Sequence, residues 1–123
     1  MDVCARRIAD LLDGRVLVAH AAWVELAFLR RAFAPERIRL DGPVVDTAAL
    51  AREVGLADPL AEAEPRLERL AGALRLPVHT PHHALGDAFT TAGVFLALVS
   101  RLDRQEPQTV RTLQTVTRRQ SHG

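Results

Sequence analysis

Arg15-Val16-Leu17-Val18-Ala19-His20 carries apolar side chains on both alternating faces. A strand with one wet face alternates apolar and polar residues, whereas one covered on both faces reads as an unbroken Val/Leu run. The stretch is therefore predicted to be a buried, interior strand of a parallel sheet, which makes the fold class α/β. Upstream, Val3, Cys4, Ile8, Leu11 and Leu12 form a helical stripe over 3–12 that Asp13-Gly14 ends. Downstream, Ala21 to Phe33 is a strongly apolar helix containing Leu26, Phe28, Leu29 and Phe33, closed by Ala34-Pro35. A lone tryptophan beside such a strand, Trp23, is expected in the core.

Further along, Ile38-Arg39-Leu40 suits a short extended piece. Val44-Val45-Asp46 reads as a second strand, with Asp46 or Thr47 capping a helix over 48–54 that Gly55 stops. Leu67, Leu70, Ala71 and Leu74 make the stripe of another helix, ended at Leu76-Pro77. Ala84 to Leu102 is the last large helix, expected to turn Phe89, Val94, Phe95, Leu98 and Val99 inward. Val110, Leu113 and Val116 mark a weak amphipathic helix, and the final five residues are expected to lack fixed structure. Residues 1–103 are accordingly one domain and 104–123 a C-terminal helix and tail.

Composition sets outer limits. A chain of 123 residues with 48% hydrophobic content supports one domain with a modest core. A net charge of +1 does not advertise nucleic-acid binding, which would have to come from local patches. No apolar run reads as long enough to span a membrane, and Met1-Asp2-Val3-Cys4 lacks the order of a signal peptide. One cysteine cannot close an internal disulfide, so Cys4 is expected to be a packed thiol. These features suit a cytoplasmic protein.

The chemistry concentrates in His82-His83-Ala84-Leu85-Gly86-Asp87-Ala88, where a polar loop becomes an apolar helix. Five positions on a helix turn through about 500°, so His82 and Asp87 cannot share a face if both are helical. Pro81 favours a helix start nearby, which puts His82 on the loop lip and Asp87 in the early turns. A carboxylate fixed by a helix then faces an imidazole able to swing towards it. By themselves these seven residues fit equally well a surface loop before an amphipathic helix. His79, His82 and His83 fall in one short loop without a cysteine and make a poor zinc set.

His-x-Ala-Leu-x-Asp-Ala resembles the third motif of the DEDDh 3′–5′ exonucleases, the DnaQ-like family, which includes the proofreading subunits of bacterial replicative polymerases. Val18-Ala19-His20-Ala21-Ala22-Trp23-Val24-Glu25-Leu26-Ala27-Phe28-Leu29 resembles the family's second motif, Val-Ala-His-Asn-Ala-x-Phe-Asp-x-x-Phe-Leu. It departs from that motif at Ala21, Val24 and Glu25. Pro43 to Thr47 and the helix before His82 are also similar to the family, so the resemblance spans most of residues 3 to 102. It implies an RNase H-like, DnaQ-like exonuclease fold lacking its N-terminal strands, because the first motif, Asp-x-Glu on a strand, has no counterpart here.

By the same resemblance, His82 would be the general base and Asp87 and Glu25 ligands of Mg2+ or Mn2+. The substrate would be a DNA or RNA 3′ end, cleaved by two-metal phosphodiester hydrolysis. With the first-motif carboxylates absent, this chain is expected to be inactive alone or weakly active, with a polymerase or a homo-oligomer partner covering the strand edge and no membrane. The alternative is a nuclease-dead protein-interaction module or oligomer built on that edge. Arginine supplies all 16 basic residues and alanine is abundant, as in proteins from GC-rich bacterial genomes.

Overall fold

In a computed structural model, residues 3–79 and 83–120 are described. The elements run α1 (Val3–Leu12), β1 (Leu17–Ala19), α2 (Ala22–Phe33), a single 3₁₀ turn (Ala34–Glu36), β2 (Val44–Asp46), α3 (Thr47–Glu53), α4 (Leu67–Ala73), α5 (Ala84–Gln105) and α6 (Val110–Gln120). Ile38 to Leu40 is irregular rather than extended. Of the five final residues expected to lack structure, Arg119 and Gln120 are helical and the other three lie outside the described residues.

The two strands pair in parallel, with Leu17, Val18 and Ala19 opposite Val44, Val45 and Asp46. This is the mixed α/β arrangement expected. The position of β1 is not, however, interior: among the described residues the sheet has two strands, and Leu17 and Val18 are only half-buried. β2 is the covered strand, with Val45 fully inside. The two faces of β1 meet different clusters, Val16 and Val18 packing against the main core and Leu17 against a smaller one, while its outer edge borders a groove.

Everything from Thr47 to Arg52 is buried, so α3 is the axis of the molecule. Asp46 caps it by accepting the Ala48 N–H at 2.9 Å, as the sequence suggested. Its small side chains, Ala48, Ala49 and Ala51, let other helices approach closely, and α5 and α6 both pack on it. Val45, Leu50, Leu70, Val94, Leu98, Leu113 and Val116 form the main core. Ala5, Leu29 and Phe33 hold a second, smaller cluster that seats α1 against α2.

Several apolar residues expected inside point outward. Along α5 the buried positions are Gly86, Thr90, Val94, Leu98 and Leu102, a four-residue repeat that leaves Phe89 on the outer face. Along α2 they are Ala22, Leu29 and Phe33, which turns Trp23 and Phe28 to solvent, at 46% and 68% exposed. Cys4 is also exposed, because α1 buries Ala5 instead. Ala84–Asp103 is, by length and composition, apolar enough to cross a membrane, contrary to the sequence reading; Val94, Leu98 and Leu102 of this segment pack into the core.

The C-terminal helix does more than the weak stripe implied. Leu113, Val116 and Thr117 are buried, and the Thr117 hydroxyl accepts the backbone N–H of Asp46 at 3.0 Å. Arg52, buried on α3, donates to the Gln120 carbonyl at 2.9 Å and pairs with Glu64. Arg119 reaches Glu53 at 2.8 Å.

Candidate active-site groove

Two turns bring the candidate residues together. The first joins β1 to α2. Ala21 takes a left-handed conformation, φ 57°, and its N–H donates to Asp46 Oδ1 at 3.0 Å. One carboxylate oxygen thus caps α3 and also ties the start of α2 to the end of β2. That sharp turn swings α2 back so that Glu25, in its first helical turn, projects beside the C-terminal end of β1.

The second turn opens α5. His83, in extended conformation, precedes the helix, and its carbonyl accepts the Asp87 N–H at 2.8 Å. The buried Thr90 hydroxyl donates to the Gly86 carbonyl at 3.0 Å and accepts the His79 N–H at 3.0 Å. His79 is therefore anchored on α5. The His79 ring leans on Phe89, their centroids 5.9 Å apart. His82 itself lies outside the described residues.

Between these turns, the open edge of β1 forms the floor of a groove of about 630 Å³. Val18, Leu67 and Phe95 give it apolar walls, and Glu25 and Asp87 both line it. Two expected ligands from distant parts of the chain therefore share one concavity. His20 is also on the rim, but both ring nitrogens are committed. Nε2 faces the Pro65 carbonyl, which can only accept, so in the neutral ring Nδ1 accepts from the Thr47 hydroxyl at 2.8 Å. His20 thus ties the end of β1 to Pro65 and to the start of α3.

The groove is acidic: Glu25 and Asp87 line it and no arginine does. An anionic substrate would be repelled unless a cation accompanied it. Both carboxylates also sit in first helical turns, where negative charge is favoured by the helix dipole. As a donor set they are incomplete. Among the described residues no three His, Cys, Asp or Glu side chains converge as a metal site would require, so these residues do not by themselves fit a divalent-metal centre.

The buried carboxyl beneath the site is Asp46. Burial pushes its pKa above the ordinary 3.8, and the negative Glu64 adds to the rise, while the N–H groups of Ala48, Ala22 and Ala21 oppose it. Sequence reasoning saw Asp46 as a cap but not as the bracket between α2 and α3. It also missed the Thr90 clamp, of which the only trace in the sequence is a threonine four residues after Gly86.

The chain is 37% identical over 97 residues to a DNA polymerase III subunit epsilon-like protein from Rhodobacter capsulatus. That stretch covers 79% of this chain and 14% of the relative's length. The likeness points, at a coarse level, to a DnaQ-like relationship. No protein-family model and no solved structure matches the chain.

Proposed function

We propose that this chain is part of a DEDDh, DnaQ-like 3′–5′ exonuclease domain of RNase H-like fold, acting on a nucleic-acid 3′ end in a cytoplasmic replication or repair setting. The observation that carries the reading is the meeting of Glu25 and Asp87 in the groove beside β1. The similarity to the epsilon-like protein supports the nuclease class. In this reading Asp87 and Glu25 contribute hard oxygen donors for Mg2+ or Mn2+, and His82 is the general base that takes a proton from the attacking water. The imidazole suits that task because its ordinary pKa lies near neutrality. Among the described residues no third carboxylate joins them, so further oxygen donors would be needed to complete a metal site. Glu25 is one methylene longer than the aspartate of the family pattern and keeps a carboxylate at that position.

The test is cleavage of 5′-labelled single-stranded DNA and RNA by the full chain with Mn2+ or Mg2+. Slow shortening from the 3′ end is expected, falling at least tenfold in Asp87→Asn. His82→Ala should lose about 100-fold or more, the usual contribution of a general base, with its melting curve unchanged. Equal cleavage by the parent chain and Asp87→Asn would overturn the assignment.

A further inference from the structure

The geometry points to a second nucleic-acid contact on the other side of α2: a groove between α2 and α6 that holds one nucleotide unit of a single strand, its base on Trp23 and the phosphates on its two sides on Arg30 and Arg118. Trp23, Leu26 and Arg30 recur at i, i+3 and i+7 and so form one stripe of the helix. Glu25 is two positions from Trp23, about 200° around the axis, so this stripe looks away from the acidic groove. Facing it, α6 contributes Gln114, Thr117 and Arg118, and the floor is made by Ala22 and by Val44 at the outer edge of β2. The groove measures about 540 Å³.

Its chemistry is opposite to that beside β1. Two arginines line it and, among the described residues, no carboxylate does, a local concentration of charge in a chain whose net charge is only +1. Arg118 makes just a long 3.5 Å contact with the Thr115 hydroxyl, and Arg30 makes no ion pair among the described residues. Thr117 accepts from Asp46 N and keeps its hydroxyl proton for another acceptor. Trp23 lines the groove and is 46% exposed.

An indole face beside two guanidinium forks matches a ligand that is planar and anionic at adjacent positions. A nucleotide within a single strand has that form: bases stack on aromatic rings whatever their sequence, and arginine pairs with phosphate oxygens. Binding here requires no cleavage, so it stands apart from the catalytic reading. A strand lying in this groove would be held on one flank of α2 while the acidic groove occupies the other.

Trp23 is the single tryptophan, so its fluorescence reports directly on the groove. Titration with an oligothymidylate of about ten nucleotides, with a chelator present, should quench the emission saturably. Two phosphate contacts should give a log–log salt slope near −1.4, about 0.7 for each contact on a single strand. Measured by anisotropy of a labelled oligonucleotide, Arg30→Gln and Arg118→Gln should each weaken binding several-fold and reduce the slope by about 0.7. Trp23→Ala should weaken it about tenfold, and Trp23→Phe should restore most of the loss. Arg104→Gln, outside the groove, should bind as the parent does.

Absence of saturable quenching would overturn the proposal, as would binding indifferent to both groove arginines. Stronger quenching by oligoglutamate than by oligothymidylate would assign the groove to an acidic peptide instead. Asp87→Asn should bind like the parent here. A chain that binds without cleaving would therefore count against the catalytic reading alone.

Discussion

At the scale of single residues, Asp46 and Ala21 carry the most consequence. Asp46 is buried with one oxygen bonded to two backbone N–H groups and Oδ2 without a hydrogen-bond partner among the described residues. Its raised pKa means that the folded state holds the proton more tightly than the unfolded chain does. The stabilising contribution is then complete below the ordinary 3.8 and is lost as pH rises through the elevated value. Asp46→Asn keeps an acceptor for Ala21 and Ala48 but cannot ionise. Urea midpoints measured against pH should therefore fall less steeply for this variant above pH 3.8 than for the parent. Ala21 pays for its left-handed backbone, which costs an L-residue roughly 1–2 kcal/mol. Ala21→Gly should raise stability by about 0.5–1 kcal/mol in chemical unfolding, net of the entropy glycine loses on folding. The family pattern has asparagine there, a residue that tolerates this conformation. The departure at Ala21 was visible in the sequence, but not that the position needs a positive φ.

At the scale of elements, the bounds of α1, α2 and β2 and the starts of α4 and α5 were legible because caps and stops are local: Gly14, Pro35 and Asp46 act on their immediate neighbours. The ends of α4 and α5 were not: α4 stops at Ala73, short of the expected Leu76, where Arg75 turns left-handed, and α5 runs past Leu102 to Gln105. Facing was less so. Long apolar helices such as α5 offer more apolar residues than one stripe can bury, and periodicity does not say which stripe is chosen. The four-residue repeat through Thr90, Val94, Leu98 and Leu102 was selected by contact with α3 and α4, which the sequence does not display. Two leucines of α5 are decided by this. Leu98→Ala should cost about 2–5 kcal/mol in equilibrium unfolding, because its side chain is fully enclosed. Leu96→Ala, two residues earlier and 67% exposed, should stay within about 0.5 kcal/mol of the parent.

At the scale of the whole molecule, the sequence announced an α/β class and brought Glu25 and Asp87 under one hypothesis, and the fold sets them around a common groove. What it could not announce was the role of α6, whose stripe is short and whose burial depends on partners some seventy residues away. The outer faces are unusually apolar: Val24 and Phe28 on α2, and Leu85, Phe89 and Leu96 on α5, stand in water. The double variant Phe28→Ser/Phe89→Ser should therefore change unfolding stability by less than about 1 kcal/mol while lowering light scattering at high concentration, since exposed side chains contribute little to the core. The clasp formed by α6 also has a consequence in time. The bonds from Asp46 to Thr117 and from Arg52 to Gln120 span 71 and 68 positions. During synthesis the elements from α1 to α5 can collapse, but α3 stays unsealed until residue 120 has left the ribosome. The central helix must therefore wait, open on one side, for α6 to emerge.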